Sequence, residues 1–230
     1  KSLSIPFLPY LSGVSIPDWR TEWEHLLRHC SIHAFSASTV EIFRKAFPHL
    51  HSKVIPVEPH SMEYFKGRPI DYGRNVSRYR VGIVGHINGP KGAAMVESAA
   101  RIIEQRSLPI ELVVFGSIDA TGHYESIIQA GGFNADNLAD KLEEYDINVS
   151  WVPSVCPETY SYVTSELIRL DIPLVCFDVG APAERVSQYP LGHVVPDFDI
   201  AAVVDYFVRL REASLAAARP SILSHIDEAI

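Results

Sequence analysis

Short apolar runs and longer stretches with a three-to-four-residue rhythm take turns along most of this chain. That alternation is the pattern of a parallel sheet covered by helices. Near the start, Trp19, Trp23, Leu26 and Leu27 fall on one face of a helix predicted over residues 18–29. A short strand follows at 32–35, then a helix over 38–47 capped by Ser38 or Thr39. The apolar run 54–57 is closed by Glu58-Pro59.

Residues 58–77 lose this rhythm and carry Pro59, Gly67, Pro69 and Gly73, the composition of a linker. Beyond it the order is clean. A strand at 80–84 leads through a glycine-bearing loop at 85–91 into a helix over 92–105, with Ala94, Val96, Ala99, Ala100 and Ile103 on its inner side. Strands follow at 110–115 and 126–129, the latter ending at Gly131-Gly132, then a helix at 137–145 and a strand at 148–152. A helix at 160–170, a strand at 173–177 and a largely helical stretch at 200–218 complete the pattern. The fold class is α/β, a parallel sheet with helices on both faces.

A 47% hydrophobic and 21% charged composition is that of an ordinary globular protein. No apolar run approaches the roughly 20 residues that span a bilayer. Lys1-Ser-Leu-Ser leads straight into a proline-punctuated segment, unlike a signal peptide, and the opening Lys1 suggests an excised or processed chain. The net charge of −8 argues against a nucleic-acid partner but not against a small phosphate-bearing ligand. Cys30, Cys156 and Cys176 are too few and too widely spaced for a disulfide framework, which fits a cytoplasmic protein, peripheral at most at the inner face of the membrane. The sequons at Asn75 and Asn148 read as chance, and the acidic run 140–146 as a solvated helix face.

Two stretches carry chemistry. The first is Gly85-His-Ile-Asn-Gly-Pro-Lys91-Gly92, a strand-to-helix turn. Its glycines allow close backbone approach, the helix start offers N–H groups, and Lys91 adds a full positive charge. It is neither a Walker loop, since Pro90 and Gly92 flank the lysine, nor the dinucleotide fingerprint, whose glycine spacing Gly82, Gly85 and Gly89 do not match. The bland alternative is a tight turn with a solvated lysine.

The second is Pro157-Glu158-Thr-Tyr-Ser-Tyr-Val-Thr-Ser-Glu166. Glu158 falls between a strand and a helix, and Glu166 lies two turns in, about 12 Å further along the axis. A sugar nucleotide carries sugar hydroxyls at one end, ribose hydroxyls at the other and a diphosphate between. Two carboxylates so spaced can each accept from one set, with the diphosphate at the helix start. Read separately, Glu158 is a helix-start charge and Glu166 a helix residue. That leaves Glu166 beside Tyr162 and Val163, partly buried without a partner.

These residues, together with Ile172-Pro-Leu-Val-Cys-Phe-Asp-Val-Gly-Ala-Pro-Ala-Glu184-Arg185 and Val81-Gly-Ile-Val-Gly-His-Ile-Asn-Gly-Pro-Lys-Gly92, resemble the C-terminal domain of retaining glycosyltransferases with two Rossmann domains (GT-B). The Glu-x7-Glu motif carries the match. The wording Pro-Glu-Thr-Tyr-Ser-Tyr is similar to a subgroup acting in bacterial surface polysaccharide assembly. The resemblance covers residues 78–215, and 31–57 look like the close of the family's N-terminal domain. It implies a remnant of that domain at 1–60, a linker at 61–77 and a nucleotide-sugar-binding domain at 78–230.

By this resemblance Glu158 contacts the donor sugar, Glu166 the ribose and Lys91 the diphosphate, with Glu158 and Lys91 the catalytic residues. Gly85, His86, Thr159, the amides around Tyr160 and Ser161, and Thr164 complete the donor set, and the loops 117–119 and 131–134 shape base choice. Three positions depart from the family: His86 stands where Arg is usual, Tyr160-Ser161-Tyr162 replaces Gly-Phe-Gly, and Asp171 stands where Gly ends the helix. The implied partners are a nucleotide-diphosphate sugar and, through the missing N-terminal half, a saccharide or lipid-linked acceptor. No cofactor or metal is implied, and the fragment alone is expected to be inactive. Two alternatives stay open: a sugar-nucleotide epimerase of the same architecture, and a non-catalytic nucleotide-sugar-binding domain.

Elsewhere, His25, His29, Cys30 and His33 cluster without an acidic third ligand and suggest a structural joint rather than a metal site. Trp19, Trp23 and Trp151 are expected in the core or at a domain interface. Ser36 and Ser161 show no His–Asp partnership for a hydrolase triad.

Overall fold

The structure, a computed structural model, describes residues 15–73 and 76–227. The expectations for residues 1–14 and for Asn75 lie outside the described residues. The strands are β1 (Tyr79–Ile87), β2 (Ile110–Ile118), β3 (Ile127–Gly131), β4 (Val149–Val152), β5 (Leu174–Phe177) and β6 (Gly192–Val195). The helices are α1 (Ile16–Leu27), α2 (Ala37–Ala46), α3 (Ala93–Gln105), α4 (Leu138–Glu144), α5 (Tyr162–Arg169), α6 (Gly180–Val186) and α7 (Ile200–Asp227). One six-stranded sheet runs β3-β2-β1-β4-β5-β6, parallel at every pairing.

The period-two pattern of the strands divides the core between the two faces of the sheet. Val81, Ile83, Leu112, Val114, Trp151, Val175 and Phe177 pack under α3 and α7. Val84, Val113, Phe115, Val152, Leu174 and Cys176 pack under α4, α5 and α6. Trp151 is fully buried, so it belongs to the core. Trp19 and Trp23 do not: α1 has no buried residue, and the two indoles lean on each other at 5.8 Å.

Several boundaries moved for identifiable reasons. β1 runs on through Gly85 to Ile87 because β2 matches it residue for residue from Tyr79↔Ile110 to Ile87↔Ile118. Ser36 rather than Ser38 or Thr39 caps α2, its hydroxyl accepting from the Thr39 amide at 3.2 Å. The strand expected at 32–35 reduces to a single bridge between Ala34 and Val57. α5 starts at Tyr162 rather than Tyr160, since Ser161 at φ +67° leaves the helical path. Asp171 adopts the left-handed conformation, φ +57°, that its place after α5 demanded.

The stretch 58–77 holds no helix or strand among its described residues, yet it is anchored. Phe65 and Ile70 are buried in the α4–α5–α6 core, and the Ile70 amide donates to the Leu170 carbonyl at 2.9 Å. The segment before it is tied to α6, where the Glu184 carboxylate accepts from the first amides of α2, Ala37 at 3.2 Å and Ser38 at 3.0 Å. The sequon at Asn148 is buried, its Oδ1 accepting from the Arg80 amide at 2.8 Å.

Candidate functional site

The strand order turns at β1: the chain passes from β1 outward to β2 and β3, then returns to β4 on the other side. Beyond the carboxyl ends of such a pair lies the crevice where open α/β sheets bind ligands. The two chemical stretches of the sequence leave the sheet there, one after β1 and one after β4.

After β1, Asn88 Oδ1 accepts from the Lys91 amide at 3.1 Å and fixes the turn. Gly92, at φ +88°, lets that turn lie against the other loop, since a Cβ there would stand 2.0 Å from the Pro153 carbonyl oxygen. Val155 N donates to Pro90 O at 3.1 Å across the same seam. These contacts deliver Lys91 Nζ to Glu158 Oε2 at 2.5 Å. Glu158 Oε1 is buried and has no hydrogen-bond partner among the described residues. An unpartnered buried carboxylate oxygen is costly unless a donor comes to it.

α6 braces this arrangement from behind. Gly180 sits at φ +65°, where a Cβ would lie 2.7 Å from the Glu158 amide nitrogen, and Ala181 N donates to Glu158 O at 2.9 Å. Arg185 reaches the next residues: it donates to Ser165 Oγ and, at 3.2 Å, to Ser161 O, and its guanidinium lies 4.3 Å above the Tyr160 ring. Burial lowers its pKa, opposed by Tyr160, Glu158 and Glu184. Among the described residues no carboxylate forms a salt bridge with it.

Two cavities meet at this point. One, of about 330 Å³, is walled by Gly85, His86 and Asn88 on one side and Pro153 and Ser154 on the other. The second, of about 450 Å³, is walled by His60, Thr159, Tyr160 and Tyr162. Lys91, Glu158, Ser161 and Val163 line both. No side chain caps the start of α5, whose amides and dipole face this shared wall. The site therefore offers an extended groove with a cation, an unpartnered carboxylate oxygen and a helix start at its middle.

The sequence-derived residues distribute unevenly over it. Gly85, His86, Lys91, Glu158, Thr159, Tyr160 and Ser161 line one cavity or both. His86 is exposed, with Nδ1 2.6 Å from Ser117 Oγ at the end of β2. Thr164 is fully buried, and its hydroxyl donates to Ser161 Oγ at 3.0 Å. Glu166 is buried and lines neither of these cavities. The expectation that it lacks a partner is overturned: Tyr64 donates to its Oε1 at 2.8 Å. Burial raises the Glu166 pKa and this hydrogen bond lowers it.

Sequence reasoning missed the linker side of the site. His60 stacks on Phe35 at 3.8 Å and on Tyr162 at 5.1 Å, and its carbonyl accepts from the Tyr160 hydroxyl at 3.1 Å. Tyr64 stands edge-on to Tyr162 at 5.8 Å. His60 lies about a hundred positions from Tyr160 and Tyr162, and Tyr64 as far from Tyr162 and Glu166, in a stretch without periodicity, so no local pattern marks them.

No protein-family model and no curated protein sequence matches this chain. Solved structures do. TarM superposes with a TM-score of 0.66 at 13% identity, over 90% of this chain and 41% of that one. HepE of Anabaena, solved with UDP and glucose, superposes with a TM-score of 0.62 at 14% identity, over 94% of this chain and 67% of its own. A glycosyltransferase of Rickettsia africae superposes with a TM-score of 0.59 at 12% identity, over 90% of this chain and 62% of that one. The chain has the Rossmann-like fold of the GT-B glycosyltransferases. It spans between about two fifths and two thirds of the length of these neighbours. Among the described residues no helix is long and apolar enough to cross a membrane.

Proposed function

We propose that this chain is the donor-binding domain of a retaining glycosyltransferase that uses a nucleotide-diphosphate sugar. The Lys91–Glu158 pair carries the reading. It stands where two cavities join, at an uncapped helix start, with one carboxylate oxygen still lacking a donor. A diphosphate fits the helix start and Lys91, whose ammonium has three donors and can hold Glu158 and a phosphate together. The sugar's hydroxyls would satisfy Glu158 Oε1, and Glu166 would accept from the ribose.

During transfer, negative charge grows on the departing diphosphate as the sugar becomes oxocarbenium-like. Lys91 and the α5 amides are fixed before that charge appears, which is the condition for transition-state stabilisation. Arg185, held behind Ser161, adds a positive field from below. The acceptor, a saccharide or lipid-linked sugar of bacterial polysaccharide assembly, would enter from an N-terminal domain. Residues 1–60 would be the close of that domain and 61–77 the link to it, so the 230 residues alone should transfer little or nothing.

The fold likeness to HepE, solved with UDP and glucose, supports a ligand of this class. Calorimetry with UDP-, GDP- and dTDP-sugars on the wild type and Glu166→Ala tests the reading. Binding by the wild type and its weakening in the variant are expected; a wild type that binds none of them would refute the proposal.

A further inference from the structure

We infer that Tyr64 sets the ribose specificity of this site, leaving Glu166 able to accept from one ribosyl hydroxyl, so that 2′-deoxynucleoside diphosphate sugars are accommodated as well as ribonucleoside ones. The inference rests on the proposed role of Glu166 as the acceptor of ribose hydroxyls.

A carboxylate accepts and never donates, and a ribose 2′,3′-diol is held best when each hydroxyl meets its own oxygen. In this chain the Tyr64 hydroxyl already donates to Glu166 Oε1 at 2.8 Å. Oε2 accepts no hydrogen bond from the described residues, and the residue as a whole is 7% exposed. One oxygen thus remains for the ligand. A deoxyribose, with a single hydroxyl at this edge, asks for no more than that.

Tyr64 lines neither cavity and is 44% exposed, but the backbone that carries it is anchored. The next residue, Phe65, is 1% exposed and sits in the α4–α5–α6 core. A turn closes on it, with Phe65 N donating to Met62 O at 3.0 Å. Arg169, one turn after Glu166 on α5, donates to the same Met62 carbonyl at 3.3 Å. The Tyr64 ring meets Tyr162 edge-on at 5.8 Å. The backbone at Tyr64 is therefore tied to the helix that carries Glu166, which keeps the hydroxyl within reach of Oε1.

The decisive comparison uses calorimetric titration of the chain and of Tyr64→Phe with UDP and dUDP, GDP and dGDP, ADP and dADP, and CDP and dCDP. For the base that binds, the wild type should hold the ribo and deoxy forms within about threefold of each other. Tyr64→Phe frees Oε1, so ribonucleotide affinity should rise about tenfold while deoxynucleotide affinity stays put. The unchanged deoxy affinity also shows that the variant is folded. A wild type that prefers the ribo form by about tenfold or more, or a variant with an unaltered ratio, overturns the inference and leaves the donor site standing. Failure of every nucleotide to bind the wild type refutes the donor-site reading itself, and this inference with it.

Discussion

Lys91 Nζ lies 2.5 Å from Glu158 Oε2, joining the loop after β1 to the loop after β4 across the turning point of the sheet. Neither residue is in the regular structure it follows, so the ion pair is a property of two turns and of what holds them. Gly92 permits the first turn its approach, and α6 braces the second. From that arrangement follow expectations about the supporting residues as well as the pair itself.

On the proposed function Arg185 would act by positioning, because it touches Ser161, Ser165 and the Tyr160 ring rather than either named carboxylate. Arg185→Met should cut sugar-nucleotide affinity about tenfold, a loss of one to two charge-assisted hydrogen bonds' worth of order. Arg185→Lys should not restore it, since an ammonium lacks the planar fork that spans these acceptors. Titration of both variants with the same donor checks this.

Gly180→Ala places a Cβ 2.7 Å from the Glu158 amide at a backbone φ of +65°. Strain of this kind costs about 1–3 kcal/mol. Denaturant unfolding should show that loss, and donor affinity should fall as well because Glu158 must shift.

Glu97 is an independent check on the fold. Its carboxylate accepts from the amides of Gly122 and Thr121 at 2.8 and 2.9 Å and from the Thr121 hydroxyl, which lowers its pKa. A lowered native pKa means stability that is present above the unfolded value and lost as pH falls through the native one. Glu97→Ala should cost about 1–3 kcal/mol at neutral pH. The gap from wild type should narrow below the ordinary glutamate range, as thermal unfolding across acid pH would show.

Glu166 runs the other way. Burial raises its pKa, so its buried charge costs stability near neutrality and that cost disappears as pH falls through the raised value. Protonation also removes an acceptor. Donor affinity should therefore begin to drop on the acid side at a pH above the usual glutamate range, and Glu166→Gln should abolish that limb in a pH series of titrations.

Much of this was legible because the sheet is buried on both faces. Continuous apolar runs such as Leu112–Phe115 in β2 and the strand around Trp151 declare themselves without context. The edge strand β6 did not, since Gly192-His-Val-Val is only half-buried, and α6 hid behind Pro182, which reads as a breaker although it sits in the first turn where its missing N–H costs nothing. Glu158, Glu166 and Lys91 stood out through spacing and residue type. Their partners did not: Tyr64 lies in a stretch with no periodicity, and the contact it makes spans a separation of 102 residues. Local pattern carries no information about such a pairing.

The most direct test is whether Glu158 senses the sugar while Lys91 senses the diphosphate. Titrate a nucleotide-diphosphate sugar and the matching nucleoside diphosphate into the wild type, Glu158→Gln and Lys91→Met. The expected result is that Glu158→Gln weakens the sugar nucleotide about tenfold and spares the diphosphate, whereas Lys91→Met weakens both. Equal affinities for the two ligands in the wild type, unchanged by Glu158→Gln, would contradict it.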